Sequence, residues 1–226
     1  MSALAADSVT RSVEDYLKAI FRLSSGGLPA STSDIAGLLE LSPPSVSGMV
    51  KRLSEQGLLE HVPYRGVVLT PAGRRVALRT VRRHRLIESY LVAYLGYSWD
   101  AVHDEAERLE HAISDELAER MAAALGNPGV DPHGDPIPTA DGVIAEVAGM
   151  PLSDVPAGTE VEVRRVNEHE PDRLRYLAEL GLVPGAAVSV LERQPFDGPI
   201  TIRTEAGERS LGAQMARDIL CAGLPE

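Results

Sequence analysis

Cysteine is almost missing from this chain. The single one, Cys221, excludes an internal disulfide and any metal site built from several thiolates. Its setting, "ARDILCAGL", reads as a buried structural thiol. Long apolar runs are also missing. No stretch of 18 apolar residues exists, so no membrane-spanning helix is expected. The start, "MSALAADSVTRSVED", lacks the basic first residues and apolar centre of a secretory signal. A cytoplasmic protein with no membrane partner is the expectation. Catalytic signatures are absent too. There is no nucleophile elbow, no phosphate loop and no H-E-x-x-H, so neither an enzyme nor a small organic substrate is expected. No internal repeat or low-complexity tract is found.

The 226 residues are 44% hydrophobic, enough for a good core and for more than one domain. The net charge of −11 argues against nucleic-acid binding, but it is unevenly spread. Residues 1–83 balance at +4, residues 84–145 at −9 and residues 146–226 at −6. A basic first segment can meet phosphates, and the acidic segment after it attracts cations.

Periodicity and punctuation give an α+β order. "SVEDYLKAIFRLSS" and "STSDIAGLLEL" are helical. "SPPSVSGMVKRLSEQG" is a third helix, with Ser42 as N-cap, prolines in the first turn and Gly57 as its stop. "LLEHVPYRGVVLTPAGRR" is a hairpin turning at "PYRG". A long helix from about Pro71 to Leu95 follows, then one from about Ser98 to Leu125. "GNPGVDPHGDPIPTADG" is a loop. After about Pro151, short alternating strands predict a small barrel. The expected domains are 1–78, a winged helix-turn-helix; 79–145, helical; and 146–226, a small β-barrel.

In the winged helix, the helix beginning at Ser42 would enter the major groove of double-stranded DNA. Ser42, Ser45 and Ser47 would meet phosphates and base edges, and Pro44 a thymine methyl. Lys51 and Arg52 would approach phosphate, and Arg65 at the wing tip the flanking backbone or minor groove. Few long polar side chains are available to read bases, which predicts strong phosphate dependence and shape readout. The competing readings are a helical core with ordinary caps and a winged helix that serves only protein contacts.

"HDEAERLEH" concentrates ligand chemistry. On one helix His103, Glu107, Glu110 and His111 would share an arc of about 100°, whereas Ala106, Leu109 and Ile113 face elsewhere. By itself this could be a solvated acidic face. Upstream, His84 and Glu88 in "RRHRLIESYL" also sit one turn apart. Two consecutive helices with His and carboxylate at one-turn spacing suit an octahedral N/O metal site.

H-x3-E followed by H-x3-E-x2-E-H, with "EDYLKAIFRL" and "GNPGVDPHGDPIP", resembles the diphtheria toxin repressor family of metal-dependent regulators. The likeness is greatest to its branch of manganese transport regulators and covers nearly the whole chain. It implies a homodimer with a winged helix, a helical dimerisation domain and an SH3-like (FeoA-like) C-terminal domain. It assigns Asp15, Glu107, Glu110 and His111 to a primary metal site, and His84, Glu88 and His103 to an ancillary one. Glu168 is the best match for a C-terminal ligand to the ancillary site, with His169, Glu170 and Asp172 as alternatives. Iron-sensing members carry methionine and cysteine where this chain has Asp15 and Glu107. Carboxylates in both places suit Mn2+, with Fe2+ the alternative and Co2+, Cd2+ or Zn2+ able to bind in vitro. Lys18 replaces a glutamate that ligates metal in some two-domain relatives, so separate rather than binuclear sites are expected. The implied function is a manganese-dependent regulator, a repressor, that binds a palindromic operator when metal joins the first helix to the dimerisation domain. The rival classes are a metal-dependent hydrolase, with Glu105 or Glu110 as base, and a metal-storage protein.

Overall fold

A computed structural model describes residues 10–24, 26–167 and 170–224. The chain forms two compact units. One comprises Met1–Arg83, Glu110–Ala112 and Pro138–Val143; the other comprises His84–Leu109, Ile113–Ile137 and Ile144–Glu226.

The first unit holds α1 (Arg11–Leu23), α2 (Thr32–Leu38), α3 (Pro43–Glu55) and the antiparallel pair β1 (Leu59–Val62) and β2 (Gly66–Leu69). It also holds the start of α4 (Pro71–Leu95). Ser31 caps α2 by accepting from the Asp34 amide at 3.1 Å. Ser42 occupies the N-cap position of α3, but its hydroxyl makes no capping bond; Pro43 and Pro44 fix the first turn instead. Gly57, with φ of 73°, ends that helix as expected. Leu17, Ile20, Ile35, Val46, Leu53 and Val67 share one core. Each such side chain contributes roughly 1.5–3 kcal/mol on burial. At Gly66, φ is 121° and a side chain would collide with the Ala30 carbonyl oxygen, so the wing can turn there only with glycine.

In the second unit the rest of α4 packs on α5 (Val102–Leu109) and α6 (Asp115–Ala124). The single helix expected from Ser98 to Leu125 is therefore broken. The cause is legible afterwards. Ser114 accepts from the Leu117 amide at 3.1 Å, and Asp115 and Glu116 fill the first turn, so a new helix begins there. Glu110 and His111 stand beyond the end of α5, not on its face.

The segment expected to be a plain loop is irregular but buried in part. Asp131, His133 and Asp135 are all buried. Gly134, with φ of 86°, lies so close to the Arg164 carbonyl that no side chain fits. The Val166 amide donates to the His133 carbonyl at 2.9 Å. The C-terminal portion is a six-stranded antiparallel sheet, in the order β3 (Met150–Pro151), β8 (Ile219–Gly223), β4 (Glu160–Val166), β5 (Ala187–Arg193), β6 (Ile200–Thr204), β7 (Gly207–Leu211). Two short helices, α7 (Pro171–Glu179) and α8 (Ala213–Arg217), close over it. Among the described residues the hydrogen-bonded order runs from β3 at one edge to β7 at the other. Cys221 is fully buried in this core, and burial pushes its thiol up to about 12, as befits an unreactive structural residue. No helix among the described residues is long and apolar enough to cross a membrane.

Candidate metal centre

The first cluster lies within the first unit. Three ligand atoms, one each from Asp15, Glu110 and His111, lie within 4.8 Å of one another. His111 Nδ1 contacts Glu14 Oε2 at 2.6 Å. Its Nε2 lies 2.8 Å from Asp15 Oδ1 and 3.2 Å from Glu110 Oε1, yet lacks the alignment for a hydrogen bond. A buried ring nitrogen aimed among carboxylates without a hydrogen bond is the arrangement a cation would complete. Burial opposes a charge on His111, but Asp15, Glu14 and Glu110 outweigh it and raise the ring to about 9. The donor set is all nitrogen and oxygen, which fits a hard divalent ion.

Glu14 was not singled out by the sequence reading, and Lys18 was read only as a residue that rules out a binuclear site. Both are buried on α1: Arg83 Nη1 reaches Glu14 at 3.4 Å, and Lys18 Nζ reaches Glu110 at 2.7 Å. Their spacing, four apart and flanking Asp15, was the available signal. A strongly amphipathic helix hid it, because charged residues at such positions usually face water.

The second cluster lies within the second unit. His84 Nε2 is 2.9 Å from Glu88 Oε1 and 3.1 Å from His103 Nδ1. His103 Nδ1 is also 3.1 Å from Glu88 Oε1. Glu88 is 2% exposed. Burial works against its charge, yet His84, the bond from His103 and the nearby His133 hold it well below the usual carboxylate range. The resemblance assigns Glu107 to the other set; here its Oε1 lies 3.5 Å from His103 Nε2 and 3.8 Å from His84 Nδ1.

Glu88 belongs to a further group that sequence reasoning missed, with Asp131 and His133. His133 Nε2 lies 2.7 Å from the Trp99 carbonyl, which can only accept. Nε2 therefore carries a proton, and Nδ1 faces Glu88 Oε2 at 3.9 Å. Burial, with Glu88 and Asp135 beside it, raises Asp131 well above the usual carboxylate range, against Arg85. The run "DPHGD" is dense in ligand types, but its lack of periodicity hid the role. Glu168 and His169 lie outside the described residues. Glu170 and Asp172 are exposed, and Asp172 pairs with Arg175 at 3.0 Å.

Ser42, Pro44, Ser45, Ser47, Lys51, Arg52 and Arg65 are all exposed. Ser47 Oγ donates to the Pro43 carbonyl at 2.9 Å, and Lys51 lies 4.0 Å from Glu55. Tyr64, beside Arg65 at the wing tip, is fully exposed with φ of 63°.

The chain matches known families in three segments. Residues 8–67 match the N-terminal DNA-binding domain of iron-dependent repressors, and residues 70–139 their metal-binding and dimerisation domain. Residues 150–222 match the FeoA domain. The iron-dependent repressor IdeR of Mycobacterium leprae is 36% identical over 84% of this chain and 87% of its own length. The diphtheria toxin repressor of Corynebacterium diphtheriae is 33% identical over 91% of this chain and 94% of its own. A manganese-dependent transcriptional repressor solved in complex with manganese is 40% identical, with a TM-score of 0.85 over 94% of this chain and all of that one. The α+β architecture with a SH3-like C-terminal domain follows, and so does a non-enzymatic role. The chain belongs to the diphtheria toxin repressor family of metal-dependent, DNA-binding transcriptional repressors.

Proposed function

We propose that this repressor responds to Mn2+ and binds a palindromic operator as a homodimer. The observation that carries the reading is the wholly nitrogen-and-oxygen set of Asp15, Glu110 and His111, converging within 4.8 Å. No sulfur enters it, and hard oxygen donors suit Mn2+. The manganese-bound structure at 40% identity supports the same choice. The residue roles carried over from the resemblance stand as part of this proposal. Asp15, Glu107, Glu110 and His111 serve the regulatory site, and His84, Glu88 and His103 serve an ancillary one. Asp131 and His133 join Glu88 there, on the strength of their convergence.

A bound divalent ion supplies positive charge that lets carboxylates stand together. Asp15 lies on α1, in the DNA-binding segment, and Glu110 and His111 lie beyond α5. Held together, these residues fix α1 and with it the helices packed on its core. Without the ion, Asp15 and Glu110 repel one another, and that repulsion loosens α1. In a dimer, fixing α1 fixes the spacing of two α3 helices against half-sites about one DNA turn apart. Swinging such an equilibrium from 1:99 to 99:1 requires ~5.5 kcal/mol of differential affinity. Ser42, Pro44, Ser45 and Ser47 start α3, Lys51 and Arg52 follow them, and Arg65 extends from the wing. Their exposure leaves them open to phosphate and base edges.

Fluorescence anisotropy on a labelled operator tests this. Free Mn2+ is expected to raise affinity at least tenfold over chelator, about 1.4 kcal/mol. A response to Fe2+ at lower free concentration than to Mn2+ would replace the manganese reading with an iron one. Equal affinity in chelator and in both metals would end the metal-switch reading.

A further inference from the structure

Glu110 is already gripped by a cation that the chain supplies. Lys18 Nζ lies 2.9 Å from its Oε1 and 2.7 Å from its Oε2. Both partners are buried, and Glu110 is 0% exposed. The ammonium therefore spans both oxygens of the one wholly buried carboxylate in the cluster with Asp15 and His111. A buried ammonium is costly unless paired, and Glu110 is the partner that makes it tolerable.

We propose that Lys18 is an affinity-setting residue: an internal cation that competes with the metal ion for Glu110. An ion that takes Glu110 as a ligand must take at least one oxygen that Lys18 now holds. It must also stand beside a positive charge, and like charges at close range in a buried setting repel strongly. Both effects weaken metal binding and so raise the free metal concentration at which the repressor responds. The same contact gives the buried Glu110 carboxylate a partner when metal is scarce. A single side chain thereby stabilises Glu110 and keeps the site's affinity low. The alternative geometry has Lys18 aiming Glu110 at the ion through one oxygen, and it has the opposite sign. The inference rests on the metal reading proposed above.

The test is isothermal titration of the full chain with Mn2+, beside thermal unfolding in chelator. Lys18→Met and Lys18→Gln are compared with wild type, Lys18→Arg and His111→Ala. Gln keeps a hydrogen-bond donor for Glu110 and guards against misfolding of the Met variant; circular dichroism reports on the fold. Both neutral variants are expected to bind Mn2+ at least tenfold more tightly while melting at lower temperature without metal. Lys18→Arg is expected to stay near wild type. Unchanged or weaker Mn2+ binding by the neutral variants overturns the competition. Identical titrations for wild type and His111→Ala would instead overturn the metal reading beneath it.

Discussion

His111 Nδ1 and Glu14 Oε2 lie 2.6 Å apart, joining the segment after α5 to α1. The carboxylate accepts from Nδ1–H, which fixes the tautomer and leaves Nε2 to face Asp15 and Glu110. On the metal reading proposed above, Glu14 positions a ligand. Glu14→Gln keeps the shape but loses the charge. It is expected to lower Mn2+ affinity by about tenfold, the lower end for such outer partners. Electron paramagnetic resonance of free Mn2+ measures this, and an affinity unchanged from wild type would remove Glu14 from the site.

The raised His111 ring has opposite consequences for folding and for metal. Its folded value of about 9 lies above the ordinary 6.5. The stability it contributes is therefore fully present below 6.5 and is lost as pH rises towards 9. In chelator, the melting difference between wild type and His111→Gln should shrink over that window. Metal must displace the ring proton, so Mn2+ affinity should climb through the same window. A pH-independent melting difference would argue against protonated His111 in the fold.

The regulatory and ancillary residues should separate by phenotype. His111→Ala is expected to abolish metal-dependent operator binding, and the resemblance gives Glu107→Ala the same effect. His84→Ala and His103→Ala should weaken the response and lower the melting temperature in Mn2+, because binding to the folded state stabilises by RT ln(1 + [L]/Kd). Operator titrations against free Mn2+ for all four variants decide it. A dead His84→Ala beside a responsive His111→Ala would invert the two roles. A merely weakened Glu107→Ala would assign Glu107 to the histidines it meets here, His84 and His103.

Metal preference should follow ligand softness. Asp15→Met exchanges an oxygen donor for a thioether and is expected to move the response from Mn2+ towards Fe2+. Operator binding measured across both metals, anaerobically, checks this. An unaltered ratio of the two responses would place selectivity in other residues.

Gly134, next to His133, offers a stability test of the segment that carries Asp131 and His133. Gly134→Ala forces a side chain against the Arg164 backbone at φ of 86°. A cost of about 1–3 kcal/mol, as for a strained backbone position, is expected in chemical denaturation. Wild-type stability would show that the segment can move aside.

The helices of the first unit, the wing and α4 were all legible from periodicity and from Ser, Pro and Gly punctuation, because those signals act within a few residues. The H-x3-E and H-x3-E-x2-E-H spacings likewise exposed His84, Glu88, His103, Glu110 and His111 as ligand types, since side chains one turn apart share a helix face. What those residues do together was decided by the tertiary structure. A short capping signal at Ser114 breaks the helix and turns Glu110 and His111 towards α1. Glu14 drew no notice in the sequence and Lys18 only as a substitute for a ligating glutamate, until burial paired them with partners 97 and 92 residues away. Asp131 and His133 carry no periodic signal at all, and only the fold of their loop brings them to Glu88. Local rules set which elements form, whereas a buried charge finds its partner only when distant segments pack, because the desolvation that demands a partner does not exist in the extended chain.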